Sequence, residues 1–261
     1  MCVILQCDDH IPKLDMLKDA EKTNRDGGGF AYTRDGLVHW EKGLHVTAEY
    51  VSKYVKKHKL TKKNNLIVHF RIGTHGANND MLCHPFPLGM NKDGSALSNR
   101  IRGSTRQSVM FHNGVWTEFD EFAVKLAFNS PNIRIPDGDM SDSSIMAWCA
   151  SHKGINFLEF TGEKVIVLSP DGIDRFGDGW TKVNNISCSN DLFDPTPSWG
   201  DYGGNFTYKA KKSDTKTQSL DDYEDDYQKQ FNNGQTFYCA DELDYLDGCE
   251  IKSKRYDKEP L

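Results

Sequence analysis

The chain has no apolar run approaching the roughly 20 residues that cross a bilayer, so no membrane-spanning helix is expected. It has no basic stretch leading into an apolar one near its start, so no secretory leader is expected either. Positive charge is not in excess. Lys and Arg number 32 against 38 Asp and Glu, giving a net charge of −6 and a pI near 5.8. That balance argues against a general nucleic-acid coat and leaves only a local basic patch open. There is no CxxC pair, no HExxH and no internal repeat. The seven cysteines (Cys2, Cys7, Cys83, Cys149, Cys188, Cys239 and Cys249) are odd in number and scattered. They read as reduced thiols in a cytoplasmic setting. Cys83 and His84 are adjacent, a poor spacing for two ligands of one tetrahedral zinc, so neither metal nor cofactor is expected.

What is present begins at MCVILQC. Cys2 directly follows the initiator methionine and opens an apolar run that reads as a strand over 2–7. Cysteine is a common small core residue, and one reading of Cys2 is only that. The other is that Met1 is removed, which a small second side chain permits. Cys2 would then carry a thiol and a free α-amine on one residue. A thiol is mostly protonated at neutral pH and needs a base to become a nucleophile. An α-amine, with an ordinary pKa of about 7.7–8.0, can serve.

Downstream, GGGFAYTRDGLVHWEKG (27–43) has the chemistry of a hairpin, turning at Asp35-Gly36. AEYVSKYVKKHKL (48–60) spaces Tyr50, Val51, Tyr54 and Val55 as one face of a helix, with lysines on the other. NLIVHFRIGTHG (65–76) is a strand running into a glycine-containing loop, and QSVMFHNGVW (107–116) repeats that design. SDSSIMAWCASHKG (141–154) starts with helix-capping residues and continues helically. FLEFTGEKVIVLSPDGIDRFG (157–177) reads as two or three strands, with turns at Thr161-Gly162 and Pro170-Asp171-Gly172. Strands and helices are mixed without strict βαβ alternation, which favours a layered α+β domain over a doubly wound parallel sheet. That domain is expected over residues 1–193. Residues 194–261 are polar and poor in aliphatics, and read as a linker or partly disordered tail with a possible short hairpin near 238–252.

Several loops carry groups able to do chemistry. Arg71 lies at the end of a strand, followed by Thr74, His75 and Gly76, and a guanidinium there can grip a carboxylate with two parallel hydrogen bonds. Asn113 and Gly114 offer a side-chain amide and a backbone N–H, which suit an oxyanion hole. Asp142, at a helix start, is either an N-cap or the partner of a cationic amine. The Asp26-Gly27-Gly28-Gly29-Phe30 stretch reads as a loop, either an ordinary turn or one whose backbone, at Gly28, approaches a ligand closely.

In order along the chain, Cys2, DGGGFAY, HFRIGTHG, FHNGV and SDS resemble the class II glutamine amidotransferases of the N-terminal-nucleophile hydrolase superfamily. Gly179-Trp180 and ISCSN (186–190) are similar to the closing segments of its stand-alone members, so the resemblance covers about residues 2–190. It implies a four-layer αββα sandwich of two antiparallel sheets. It further implies that Cys2 attacks the glutamine side-chain amide to form a γ-glutamyl thioester. Asn113 and Gly114 would hold the oxyanion, Arg71 the α-carboxylate and Asp142 the α-amine, with Thr74, His75 and Gly28 shaping the substrate site. Many relatives have tryptophan and then alanine after the arginine, whereas Ile72 and Gly73 follow here, and the glycine loop is looser. No synthase domain follows, so released ammonia would go to a separate acceptor protein. Two other readings stand beside this one: an N-terminal-cysteine amidase acting on a γ-glutamyl or acyl amide, and a non-catalytic binding or regulatory protein on the same scaffold. The pair Arg71 and Asp142 favours a free amino-acid head group.

Overall fold

Alternation with a period of two residues organises the strands, because successive side chains leave a strand on opposite faces. In the first strand, β1 (Val3–Gln6), Val3 and Leu5 enter one core and Ile4 another. The same division recurs in β2 (Gly28–Arg34), where Phe30 and Tyr32 join Val3 while Ala31 joins Ile4. It recurs again in β7 (Val109–Asn113) and β8 (Lys164–Ser169): Val109, Phe111, Ile166 and Leu168 pack with Ile4, whereas Met110, Val165 and Val167 pack elsewhere. The computed structural model describes residues 2–7, 9–73, 76–89, 100–129, 133, 136 and 139–193. The expected tail over 194–261, with its hairpin near 238–252, lies outside them.

The remaining strands are β3 (Leu37–Gly43), β4 (Ile67–Phe70), β5 (Phe86–Pro87), β6 (Arg102–Thr105), β9 (Gly172–Phe176), β10 (Thr181–Val183) and β11 (Ile186–Cys188). The helices are α1 (Leu14–Thr23), α2 (Ala48–Lys57), α3 (Phe119–Asn129) and α4 (Asp142–Lys153). Among the described residues the strands form two antiparallel sheets, ordered β10-β11-β1-β4-β2-β3-β6 and β5-β7-β8-β9. The fold is thus α+β. One core joins α1 and α2 to the larger sheet through Leu17, Ala20, Val51 and Val55. A second joins α3 and α4 to the smaller sheet through Phe122, Leu126, Met146 and Trp148. A third holds side chains of both sheets, among them Ile4, Trp40, Phe111 and Ile166.

Local sequence accounts for most of these elements. The β2–β3 hairpin turns at Asp35 (φ 54°) and Gly36 (φ 71°), both with the positive φ that a type I′ turn requires. Helix α2 buries Val51 and Val55 and leaves Lys53, Lys56 and Lys57 exposed, as its pattern indicates. Three expectations need correction. Residues 155–161 form a 3-10 helix, not a strand. There Phe157 and Leu158 are both buried and the next two residues exposed, a helical pattern and not an alternating one. Gly28 and Gly29 belong to β2 and not to a loop. The N-cap of α4 is Ser141, which accepts from the Ser144 N–H, leaving Asp142 in the first turn.

Candidate functional site

Strand pairing assembles the first half of the site. β1 runs antiparallel to β4 with Val3 opposite Phe70, so the residues just beyond, Cys2 and Arg71-Ile72, meet at one end of the sheet. The Ile72 N–H donates to Cys2 Sγ (3.3 Å), and the thiol is 3.4 Å from the Ile72 carbonyl oxygen. The 26–27 segment straps this loop down. Arg71 donates its N–H to the Gly27 carbonyl, Asp26 donates to the Arg71 carbonyl, and the Gly73 N–H donates to the Asp26 carboxylate at 2.9 Å. A Cβ on Gly73 would lie 3.3 Å from both terminal nitrogens of Arg71, so glycine leaves the guanidinium its room.

Cys2, Arg71, Gly114 and Asp142, four of the residues singled out in the sequence, line one pocket. It holds about 290 Å³ of empty space counted out to open solvent. Ile72, Leu82, His84, His112, Ser141 and Ser143 complete its wall. Arg71 and Asp142 are each only 4% exposed, so a cation and an anion stand largely out of water in the same recess. The Arg71 guanidinium donates to Asn78 Oδ1 (3.2 Å) and to the Ala77 carbonyl. Asp142 accepts the Trp116 N–H (3.1 Å) and the Ser143 hydroxyl (3.4 Å), both neutral donors. Buried charges are costly unless matched, and a recess offering one of each sign suits a ligand carrying both.

Asn113 ends β7 beside Gly114 and is buried, but it does not line the pocket wall. Its Nδ2 donates to the Ser189 hydroxyl at 2.7 Å, and its Oδ1 has no hydrogen-bond partner among the described residues. A Cβ on Gly114 would meet the Glu163 carboxylate, the flexible end of a partly exposed side chain, so a larger residue there requires Glu163 to move. Gly28 stands away from the pocket wall, and its glycine has a packing reason, since a Cβ would press on the Val46 and His69 carbonyls. Thr74 and His75 lie outside the described residues.

Burial raises the Cys2 thiol pKa above its ordinary value. The Ile72 hydrogen bond and the Arg71 charge pull it down, while Asp142 pushes it up. A thiol with its pKa raised is protonated at neutral pH and reacts only with a base at hand. His84, buried in the pocket wall, has both ring nitrogens without hydrogen-bond partners among the described residues, and burial drives its pKa well below 6.5, so it stands neutral. His112 Nδ1 lies 2.8 Å from Ser143 Oγ, within hydrogen-bond reach, while its Nε2 stands 3.6 Å from the Glu163 carboxylate, beyond it.

Sequence reasoning passed over His84, His112, Ser141, Ser143 and Ile72 as pocket residues. His112 and the serines flank Asn113 and Asp142, so adjacency was a usable signal for them. Nothing local places His84, which the chain path brings in from the segment before β5. The 186–190 stretch also reaches the site, because Asn190 Nδ2 donates to the Cys2 carbonyl at 2.7 Å. The chain matches no family model, and no curated protein matches it.

Proposed function

We propose that the chain is a glutamine amidotransferase-type amide hydrolase built as an αββα sandwich of the N-terminal-nucleophile kind. The three cores support that layering: helices on one sheet, sheet on sheet, and helices on the other sheet. The observation that carries the activity is the convergence of Cys2, Arg71, Gly114 and Asp142 on one pocket from four separate segments. Free glutamine offers a carboxylate for Arg71, an ammonium for Asp142 and an amide carbon for the Cys2 thiol.

After removal of Met1, the α-amine of Cys2 takes the thiol proton as Sγ attacks the amide carbon. Negative charge moves to the amide oxygen, which Asn113 and the Gly114 N–H receive. The amine returns the proton to the departing nitrogen, so ammonia leaves and a γ-glutamyl thioester remains. Water then cleaves the thioester to glutamate and regenerates the thiol. The ammonia serves a separate acceptor protein. With Met1 in place the thiol pKa is raised by burial, so the reading requires the free α-amine that removal of Met1 exposes on Cys2.

The test is intact mass before and after a glutamine-analogue diazo-ketone, with glutamine hydrolysis measured alongside. The expected result is loss of Met1, one adduct on Cys2, and no adduct or turnover in Cys2→Ala. Retained Met1 with an unlabelled Cys2 would leave the thiol as a strand residue and end the hydrolase reading.

A further inference from the structure

The two halves of the proposed catalytic machinery sit on different sheets. Cys2 leads into β1 of the larger sheet, while Asn113 ends β7 of the smaller one. A nucleophile and an oxyanion donor must keep their spacing to within a fraction of an ångström, and the apolar core between the two sheets is non-directional and does not fix it by itself.

One residue ties both together. Ser189 is fully buried just past β11. Its Oγ accepts the Ile4 N–H at 2.9 Å, and its own N–H donates to the Ile4 carbonyl at 3.0 Å, so it is locked onto β1 two residues from Cys2. Its carbonyl accepts Lys164 Nζ at 2.6 Å, from the β8 residue that pairs with Asn113. The same Oγ lies 2.7 Å from Asn113 Nδ2. Next along the chain, Asn190 grips the Cys2 carbonyl.

The hydrogen-bond inventory of Ser189 adds a second point. A planar amide occupies the same positions in either of its two orientations. With Nδ2 toward Ser189, the hydroxyl accepts two N–H groups and the buried Oδ1 is left without a donor. With Oδ1 toward Ser189, the hydroxyl accepts from Ile4 and donates to the amide oxygen, and the NH₂ takes the buried position away from Ser189. In either orientation Ser189 Oγ holds the Asn113 amide by a hydrogen bond, accepting from Nδ2 or donating to Oδ1.

We infer that Ser189 is a positioning residue for the reaction: its hydroxyl couples the Cys2 strand to Asn113 across the two sheets and so fixes where the Asn113 amide stands relative to Cys2. This rests on the hydrolase reading above. Ser189 touches no substrate and acts through Asn113.

The experiment is a double-mutant cycle on the full chain, reading kcat and KM for glutamine. Ser189→Ala is expected to lower kcat by on the order of tenfold or more while KM for glutamine changes less than about twofold, because Arg71 and Asp142 are untouched. In an Asn113→Ala background the same change is expected to cost nothing further, since the residue it acts through is gone. Ser189→Thr and Ser189→Val have one shape and differ in the hydroxyl alone. The threonine variant should exceed the valine variant in kcat by about the same factor, and this pair decides the matter if the alanine variant does not fold. An unchanged kcat in Ser189→Ala, equal kcat in the threonine and valine variants, or full multiplicative loss in the double mutant would each overturn the inference while leaving the hydrolase reading intact. A wild type that neither hydrolyses glutamine nor accepts label on Cys2 overturns both.

Discussion

At the residue scale, the opposed charges of the pocket make separable predictions. Asn113→Ala should lower kcat for glutamine by on the order of 10²–10³, as losing an oxyanion donor does. A kcat within twofold of wild type would place the oxyanion hole elsewhere. Arg71→Lys should raise KM, because a point charge replaces a planar fork, and steady-state kinetics distinguish the two effects. Buried bases set the response to pH. Burial holds His69 at about 3 and His84 well below its ordinary value. In the unfolded chain both are protonated below about 6.5. Over that interval the unfolded state binds more protons than the folded one, so stability is lost as pH falls from about 6.5 toward 3. Two such protons correspond to up to about 3 kcal/mol per pH unit. Lys42, fully buried with Nζ on the Met81 carbonyl (2.7 Å), is pushed down to about 7. Its unfolded form keeps the proton up to about 10.4, so stability should go on rising from pH 7 to about 8.5. Above about 8.5 the thiols of Cys2, Cys83 and Cys149, all raised by burial, stay protonated in the fold while unfolded thiols ionise, and stability falls. Denaturant melts from pH 4 to 10 check the slope, and Lys42→Met should flatten the rise above pH 7. A maximum near pH 5 would contradict both.

At the element scale, α4 matters most, because its N-terminus builds one wall of the pocket. Ser141 and Ser144 form a reciprocal cap there, the Ser144 N–H donating to Ser141 Oγ (3.1 Å) and the Ser141 N–H to Ser144 Oγ (2.8 Å). Asp142 rides between them in the first turn, where a negative charge also meets the positive end of the helix dipole. Ser141→Ala should cost about 1 kcal/mol of stability. Because the cap fixes the turn that carries Asp142, KM for glutamine should rise with it. A lowered melting temperature with unchanged KM would show that the cap stabilises α4 without setting Asp142. The 71–73 loop is held in a comparable way by Asp26, whose carboxylate receives the Gly73 N–H.

At the scale of the whole molecule, β1 is an interior strand, flanked by β4 and by β11 from the far end of the described chain. Leu5 lies opposite Cys188, so the strand that begins at Cys2 is sealed only when residues about 180 positions later arrive. The cores described here close with Phe193, which is buried against the first of them. A chain ending at residue 193 should therefore fold and retain glutamine hydrolysis. Circular dichroism and turnover measured against the full chain check this, and an unfolded product would mean that residues beyond 193 are needed for the domain.

The period-two runs, the Asp35-Gly36 turn and the apolar face of α2 were legible in the sequence because their causes are local: side-chain alternation, positive φ and a 3.6-residue repeat. Cys2, Arg71, Gly114 and Asp142 were also legible as chemical candidates, since their residue types and flanks carry the signal. The strand proposed over 157–161 failed because two adjacent apolar residues fit a turn of helix as well as a strand, and only packing against α4 chose. The loop expected at Gly28 is a strand for a related reason: the sequence shows that a side chain is missing, not whether a ligand or the Val46 carbonyl fills the space. The sequence by itself thus determined which groups are available and which local elements form. Tertiary structure alone decided that four of those groups share one recess, that His84 joins them, and that Ser189 bridges the sheets, because these depend on strand pairing and side-chain contacts between segments 24 to 185 residues apart, and contacts at that distance leave no local trace.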